Sequence, residues 1–215
     1  TVGACCDNVV LDDIEPIPEY YWVAENGSDL TGNGSYARPW ATLGYATTQA
    51  TTPGDVIHVK AGTITETSQI VLAVGVDIVG QGDTSIIRAG TAFEPMILMS
   101  SVDQGTDGSQ TIRDIQFDGE MTALFGFSVR RRSNVIFDNV TMVDFIYSAI
   151  EIYGGSGFAS TPTTYASGNI IRNCTVTNCC SRRDPSPFGS LRIGGTVGME
   201  VHHCTLTQTS RASTE

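Results

Sequence analysis

The sequence has no long basic run, no apolar stretch of the roughly 18 residues a membrane span needs, and no paired C-x-x-C spacing. Phosphate binding draws on clustered Lys and Arg, so the first absence argues against a nucleic-acid partner. The second leaves no membrane span, and the third argues against structural zinc. Basic residues are few, 12 against 23 acidic ones, for a net charge of −11. Charge is sparse altogether, 16% of residues against 40% hydrophobic, the reverse of a disordered chain. No signal-peptide pattern opens the chain, and Thr1-Val2-Gly3-Ala4 reads as a processed or trimmed start. The six cysteines permit disulfides without requiring them.

What is present points to strands broken by turns. The 215 residues include 23 glycines, with Thr, Ser, Val and Ile recurring throughout. Residues 1–19 are acidic and irregular (Asp12-Asp13, Glu15-Pro16, Pro18-Glu19) and read as an arm or linker ahead of a single domain over 20–215. A strand, Tyr20-Tyr21-Trp22-Val23, is followed by a polar, Gly-rich loop over 25–35. Only 42–51 has helical spacing: Thr42 can cap it, Leu43, Ala46 and Ala50 share a face, and Thr52-Pro53-Gly54-Asp55 stops it.

Beyond Asp55 come short apolar alternations: Val56-Ile57-His58-Val59, Ile70-Val71-Leu72, Val76-Asp77-Ile78-Val79, Ile86-Ile87 and Met96-Ile97-Leu98. The later segments repeat. Arg113-Asp114-Ile115-Gln116-Phe117 aligns with Asp138-Asn139-Val140-Thr141-Met142, then Arg172-Asn173-Cys174-Thr175-Val176, then His202-His203-Cys204-Thr205-Leu206, at intervals of 25, 34 and 30 residues. Such a period marks a β-solenoid, in which each unit buries its apolar residues only by stacking on the next. The alignment sends Ile115, Phe117, Val140, Met142, Cys174, Val176, Cys204 and Leu206 inward. It puts Asp114, Asn139, Asn173 and His203 at a bend, where an amide side chain can bond the backbone of the neighbouring coil, with Asn139 and Asn173 as two rungs of such a ladder. Residues 55–210 are predicted to give about six coils and three parallel sheets. Cys174 and Cys204 are expected as stacked, buried thiols.

The stretch Tyr21-Trp22-Val23, Asn26-Gly27-Ser28-Asp29, Gly34-Ser35, Pro39-Trp40-Ala41-Thr42-Leu43, Pro53-Gly54-Asp55-Val56-Ile57 and Ala61-Gly62-Thr63 resembles the opening of pectin-lyase-like right-handed β-helix proteins. The resemblance covers roughly 20–210. It implies an all-β, right-handed parallel β-helix with an N-terminal capping helix over the first coil and Trp40 packed beneath it. Family members carry further coils and a C-terminal cap, so the stop at Ser213-Thr214-Glu215 implies missing coils or an end covered by another chain. The superfamily spans polysaccharide lyases, glycoside hydrolases, epimerases, phage tailspikes and adhesins, so the fold does not name the activity.

In β-helix carbohydrate enzymes the substrate lies along the outer face of one sheet. The matching strands are Phe127-Ser128-Val129, Ala149-Ile150-Glu151-Ile152 and Ser190-Leu191-Arg192-Ile193. With Phe127, Val129, Ile150, Ile152, Leu191 and Ile193 facing the core, alternation turns Ser128, Glu151 and Arg192 outward to solvent in one row, flanked by Arg130 and Tyr153. A lyase acting on uronates needs a cation for the carboxylate, a base for the α-proton and a donor for the leaving oxygen. Arg192 can fill the first or second role and Tyr153 the third, with Glu151 beside them and Ser128 and Arg130 as substrate-binding residues. A glycosidase needs two carboxylates, and beyond Glu151 only the distant Asp144 and Glu200 offer a second. The bland alternative is an ordinary Glu151–Arg192 ion pair across coils.

Other features read as structural. Arg130-Arg131-Arg132 and Arg182-Arg183 are expected as solvated charge at turns. His202 and His203, adjacent on a strand, should face opposite ways and make poor joint metal ligands. Loop 25–35 has oxygen ligands for Ca²⁺, the one cofactor the sequence suggests, but lacks EF-hand spacing. Trp22 has the surface to stack on a sugar. Two functions stand. One is an extracellular β-helix protein that binds and cleaves a polysaccharide or cell-surface glycan, by β-elimination ahead of hydrolysis. The other is a non-catalytic tailspike, virion or cell-surface protein, working as a homotrimer or larger assembly.

Overall fold

The computed structural model describes residues 19–157, 160–180 and 189–208. The acidic arm over 1–18, Cys5-Cys6 and Arg182-Arg183 lie outside the described residues. The chain is predominantly β, and every pairing between its strands is parallel. No described helix is long and apolar enough to cross a membrane.

The first strand, β1 (Tyr20–Val23), leads through the polar loop to the helix α1 (Leu43–Gln49). The helix forms where the sequence predicts. Thr42 Oγ1 accepts from Tyr45 N–H at 3.1 Å, and the first free N–H groups, of Leu43 and Gly44, reach Glu66 at 2.7 and 3.2 Å. Leu43, Ala46 and Ala50 are fully buried on its inner side, and Trp40 is buried beside them, stacked on Tyr21.

The chain then runs through β2 (Val56–Val59), β3 (Gly62–Glu66), β4 (Ile70–Val71), β5 (Asp77–Val79), β6 (Ser85–Ala89), β7 (Ile97–Ser100), β8 (Thr106–Asp118), β9 (Phe127–Arg130), β10 (Arg132–Val143) and β11 (Ile150–Tyr153). It continues through β12 (Ala166–Ser167), β13 (Ile170–Arg172), β14 (Thr175–Thr177), β15 (Leu191–Gly194), β16 (Thr196–Val197), β17 (Glu200–His202) and β18 (Thr205–Thr207). Three sheets result: one of 11 strands, one of five in the order β15-β11-β9-β7-β4, and the pair β12-β16. Three sheets were expected, and so were six layers after Asp55: β2, β5, β8, β10, β13 and β17 stack in one path.

Residues of like kind stack along this path. Ile57, Ile78, Ile112, Phe137 and Ile171 are partners in register and all fully buried. Phe127 meets Phe117 and Phe137 edge-on, with centroids 4.8 and 4.9 Å apart. Each such side chain contributes about 1.5–3 kcal/mol on burial. Ile115, Phe117, Val140, Met142, Cys174 and Val176 are buried as the repeat predicts. Leu206 and Ile193, also expected inside, are 53% and 38% exposed. They lie on β18 and β15, whose outer sides have no described strand against them.

The bends are present, but their amides bond carboxylate side chains of the neighbouring strand and not its backbone. Asp114, Asn139, Asn173 and His203 all take positive φ, between 54° and 56°. The strong turn lets β8 and β10 pass from one face of the large sheet to the next without losing pairing. Asn139 Nδ2 donates to Asp114 Oδ1 at 2.8 Å, and Asn173 Nδ2 to Asp138 Oδ1 at 2.8 Å. Short polar side chains tolerate this conformation and bond locally, which is why Asx residues fill it.

One basic cluster corrects its reading. Arg132 is 2% exposed and among the largest buried side chains, not a solvated turn charge. Its guanidinium donates to Ser101 Oγ, Gln110 Oε1 and the carbonyls of Leu72, Ala73 and Ser100. Burial pushes it down to about 10. The cause is positional: Arg131 takes a φ of 62°, so the next side chain turns inward where the chain corners.

Candidate functional site

The five-stranded sheet sets the site. In-register pairing puts Ser128 beside Glu151 and Glu151 beside Arg192, so the expected row exists across β9, β11 and β15. Arg130 and Tyr153 form the next outward row, ending on Gly194. The opposite side chains, Phe127, Val129, Ile150 and Ile152, are fully buried in the core.

The row does not face open solvent, which corrects the alternation argument. Ser128 is fully buried, Glu151 is 5% exposed and Tyr153 4%. Alternation fixes which side of the sheet a residue takes, not what lies over that side. Here irregular segments cover it. Glu94, Pro95, Phe125 and Gly157 join Arg130, Glu151, Tyr153 and Arg192 around a cleft of about 290 Å³. Glu94 and Phe125 carried no sequence signal, since neither lies on a strand of the repeat. Asp144 and Glu200 are not among the cleft residues.

Inside the cleft, Arg192 Nη1 meets Glu151 Oε1 at 2.7 Å, with the two side chains only 12% and 6% exposed. The Arg192 guanidinium carbon sits 5.8 Å from the Tyr153 ring centre. Burial first, then the Glu151 charge, pushes the Tyr153 phenol well above the usual range. Arg130 Nε donates to Ser128 Oγ at 3.0 Å. No described carboxylate lies within ion-pair distance of Arg130, whereas Arg88, Arg113, Arg172 and Arg192 each have one. The cleft thus holds one neutralised cation, one cation bonded to a hydroxyl, and a protonated phenol.

Comparison with protein-family models, with curated protein sequences and with solved structures gave no match to this chain.

The remaining candidates resolve differently. In the 25–35 loop, Asp29 Oδ1 accepts from the N–H groups of Ala41 and Thr42 at 2.8 and 3.1 Å, and Oδ2 from Thr42 Oγ1 at 2.8 Å. Glu25 accepts from Thr63 N–H, and Asn33 from Ser35. These oxygens, read as Ca²⁺ ligands, hold the loop to the start of α1 and to β3. No group of three or more His, Cys, Asp or Glu among the described residues is disposed to hold a metal. His202 and His203 do not point apart: their Nδ1 atoms are 2.9 Å from each other. The left-handed φ of His203 breaks strand alternation and brings both rings to one side. Trp22 is packed rather than open, stacked on His58 at 4.4 Å and edge-on to Tyr36 at 4.8 Å, with Lys60 Nζ 3.7 Å from the Tyr36 ring centre.

Proposed function

We propose that this chain is a right-handed parallel β-helix of the pectin-lyase-like kind. In this reading it is an extracellular, cell-surface or virion protein whose cleft binds an acidic polysaccharide and cleaves it by β-elimination. One observation carries the reading: two arginines, two carboxylates and a protonated tyrosine converge on one cleft on the outer face of the five-stranded sheet. β-Elimination at a uronate builds negative charge on the carboxylate as the α-proton leaves, and fixed cations stabilise it. Arg130 and Arg192 supply that charge. Tyr153, kept protonated by burial, serves as donor to the leaving oxygen. Ser128 aligns Arg130. Arg192 is already half of an ion pair, so it acts as the cation rather than the base. Hydrolysis is the weaker chemistry, because it needs a second carboxylate at a set spacing and only the rim residue Glu94 offers one.

A second reading is favoured by the same ion pair. A buried Glu151–Arg192 contact at 2.7 Å suits a rigid, non-catalytic binding surface, as in a tailspike or adhesin. Incubation with polygalacturonate, alginate, hyaluronate, dextran and xylan separates the two. The enzyme reading expects rising ultraviolet absorbance from unsaturated uronate ends, together with new reducing ends. Binding without either, by a trimer in sedimentation, selects the second reading. No binding to any acidic polymer overturns both.

A further inference from the structure

We infer that the Glu151–Arg192 ion pair is an internal stand-in for the substrate: an entering uronate carboxylate replaces Glu151 on Arg192, and the released Glu151 is the base that takes the α-proton. This inference rests on the cleft being a uronate site, and it supplies the one group that reading leaves unassigned.

The geometry supports exchange over simple opening. Arg192 and Glu151 are nearly closed off from solvent. Breaking such a pair leaves an uncompensated buried charge, which is strongly unfavourable. A second carboxylate arriving from the cleft restores what Arg192 loses. Because Arg130 has no described carboxylate partner and lines the same cleft, it can draw the entering anion in. Room exists on the far side, since the residue paired with Tyr153 in the next strand is Gly194. The displaced carboxylate stays beside Tyr153, two residues along on the same face of β11 and lining the same cleft.

The proton balance closes. Glu151 takes the proton as the Cα–H bond beside the carboxylate breaks. That electron pair forms the new carbon–carbon double bond, and the bond from the β-carbon to the glycosidic oxygen breaks. The leaving oxygen takes the Tyr153 phenol proton. Protonated Glu151 then passes its proton to the neighbouring tyrosinate. The new hydroxyl carries the former phenol proton, the α-proton takes its place on Tyr153, and no oxidant or reductant is consumed.

A competing internal anion lowers apparent affinity by the fraction of sites it blocks. Glu151→Gln should therefore bind oligomers of galacturonate, mannuronate or glucuronate about tenfold more tightly than wild type, for whichever of the three the wild-type protein binds. It should lose turnover by about 10²–10⁴-fold. Methyl esters of the same oligomers should gain nothing. Glu151→Ala serves as the second variant, with melting curves confirming that each is folded. In the wild-type protein, the ¹³C carboxyl resonance of Glu151 should shift on uronate binding, and this needs no variant. Unchanged or weaker uronate binding by the folded variants overturns the inference alone, as does a static Glu151 resonance. Failure of wild type to bind any of the three oligomers overturns the uronate reading and the inference together.

Discussion

The Arg132 guanidinium donates to the Gln110 side-chain carbonyl at 2.7 Å, with both side chains almost fully buried. Gln110 in turn donates to the Ala73 and Val76 carbonyls at 2.8 Å each. Two polar side chains thus satisfy backbone acceptors around one corner of the core, and no carboxylate is among the hydrogen-bond partners of Arg132. Arg132→Ala removes every one of those donors and is expected to cost about 3–5 kcal/mol, the range for stranding a buried polar network. Arg132→Lys keeps the charge but offers three donors in place of the fork, so it should fall between. Denaturant unfolding of the three proteins measures both; a neutral Arg132→Ala would contradict the clamp.

The bend ladder makes a sharper demand on Asn139. It holds φ near 55° and its amide donates to Asp114. Asn139→Ala loses the bond and leaves a β-carbon in the left-handed region without the polar side chain that makes it tolerable there, for about 1–2 kcal/mol. Asn139→Gly loses the same bond without the backbone strain. The glycine variant should therefore unfold at higher denaturant than the alanine variant. Equal midpoints for the two variants would mean that the amide bond, not the backbone, carries the position.

Two acidic groups should shape stability against pH with opposite sign. Arg172, hydrogen-bonded to Asp138, holds that carboxyl below its ordinary 3.8. Its contribution is present above 3.8 and lost as pH falls through the lower folded value. Burial pushes Glu66 above its ordinary 4.5, partly offset by the N–H groups of Leu43 and Gly44. Its contribution is full below 4.5 and lost as pH rises through the raised folded value. Wild type should therefore lose stability relative to Glu66→Gln between pH 4.5 and neutrality, and lose it relative to Asp138→Asn below pH 3.8. Unfolding free energies at a series of pH values test both arms. Parallel curves for wild type and Glu66→Gln would discount the buried carboxylate.

The sequence made legible what repeats. Asp114, Asn139, Asn173 and His203 stood at equivalent places because stacked layers need the same bend, and Ile115, Val140 and Cys174 were buried together for the same reason. The site was half legible. The pairing of Ser128, Glu151 and Arg192 follows from strand period, but the depth of the cleft comes from Glu94, Pro95, Phe125 and Gly157 in segments with no period. Arg132 and the direction of the His203 ring relative to His202 were misread because a residue in or just after the left-handed region does not obey alternation. Charge runs and adjacent pairs are read correctly only once the corners of the fold are known.

Cys174 and Cys204 carry the last prediction. Thr175 pairs with Thr205, so the two cysteines stand one above the other in neighbouring layers. Each thiol donates to the carbonyl two residues earlier and to one on the preceding strand: Cys174 to Arg172 and Phe137 at 3.1 and 3.6 Å, Cys204 to His202 and Ile171 at 3.3 and 3.6 Å. Both are free thiols. In-register parallel neighbours aim their side chains the same way, which does not favour a bridge. Their environments differ. Cys174 is 1% exposed, and burial pushes its thiol up to about 12. Cys204 is half-buried at the outermost described layer. The thiolate is the reactive form, so native alkylation should modify Cys204 at least about tenfold faster than Cys174. Peptide mapping of iodoacetamide-treated protein follows each site separately. Cys174→Ser should stay within about 1 kcal/mol of wild type, because a hydroxyl can donate to the Arg172 carbonyl as the thiol does. Equal alkylation rates at the two sites would mean that the layer carrying Cys204 does not cover Cys174 in solution.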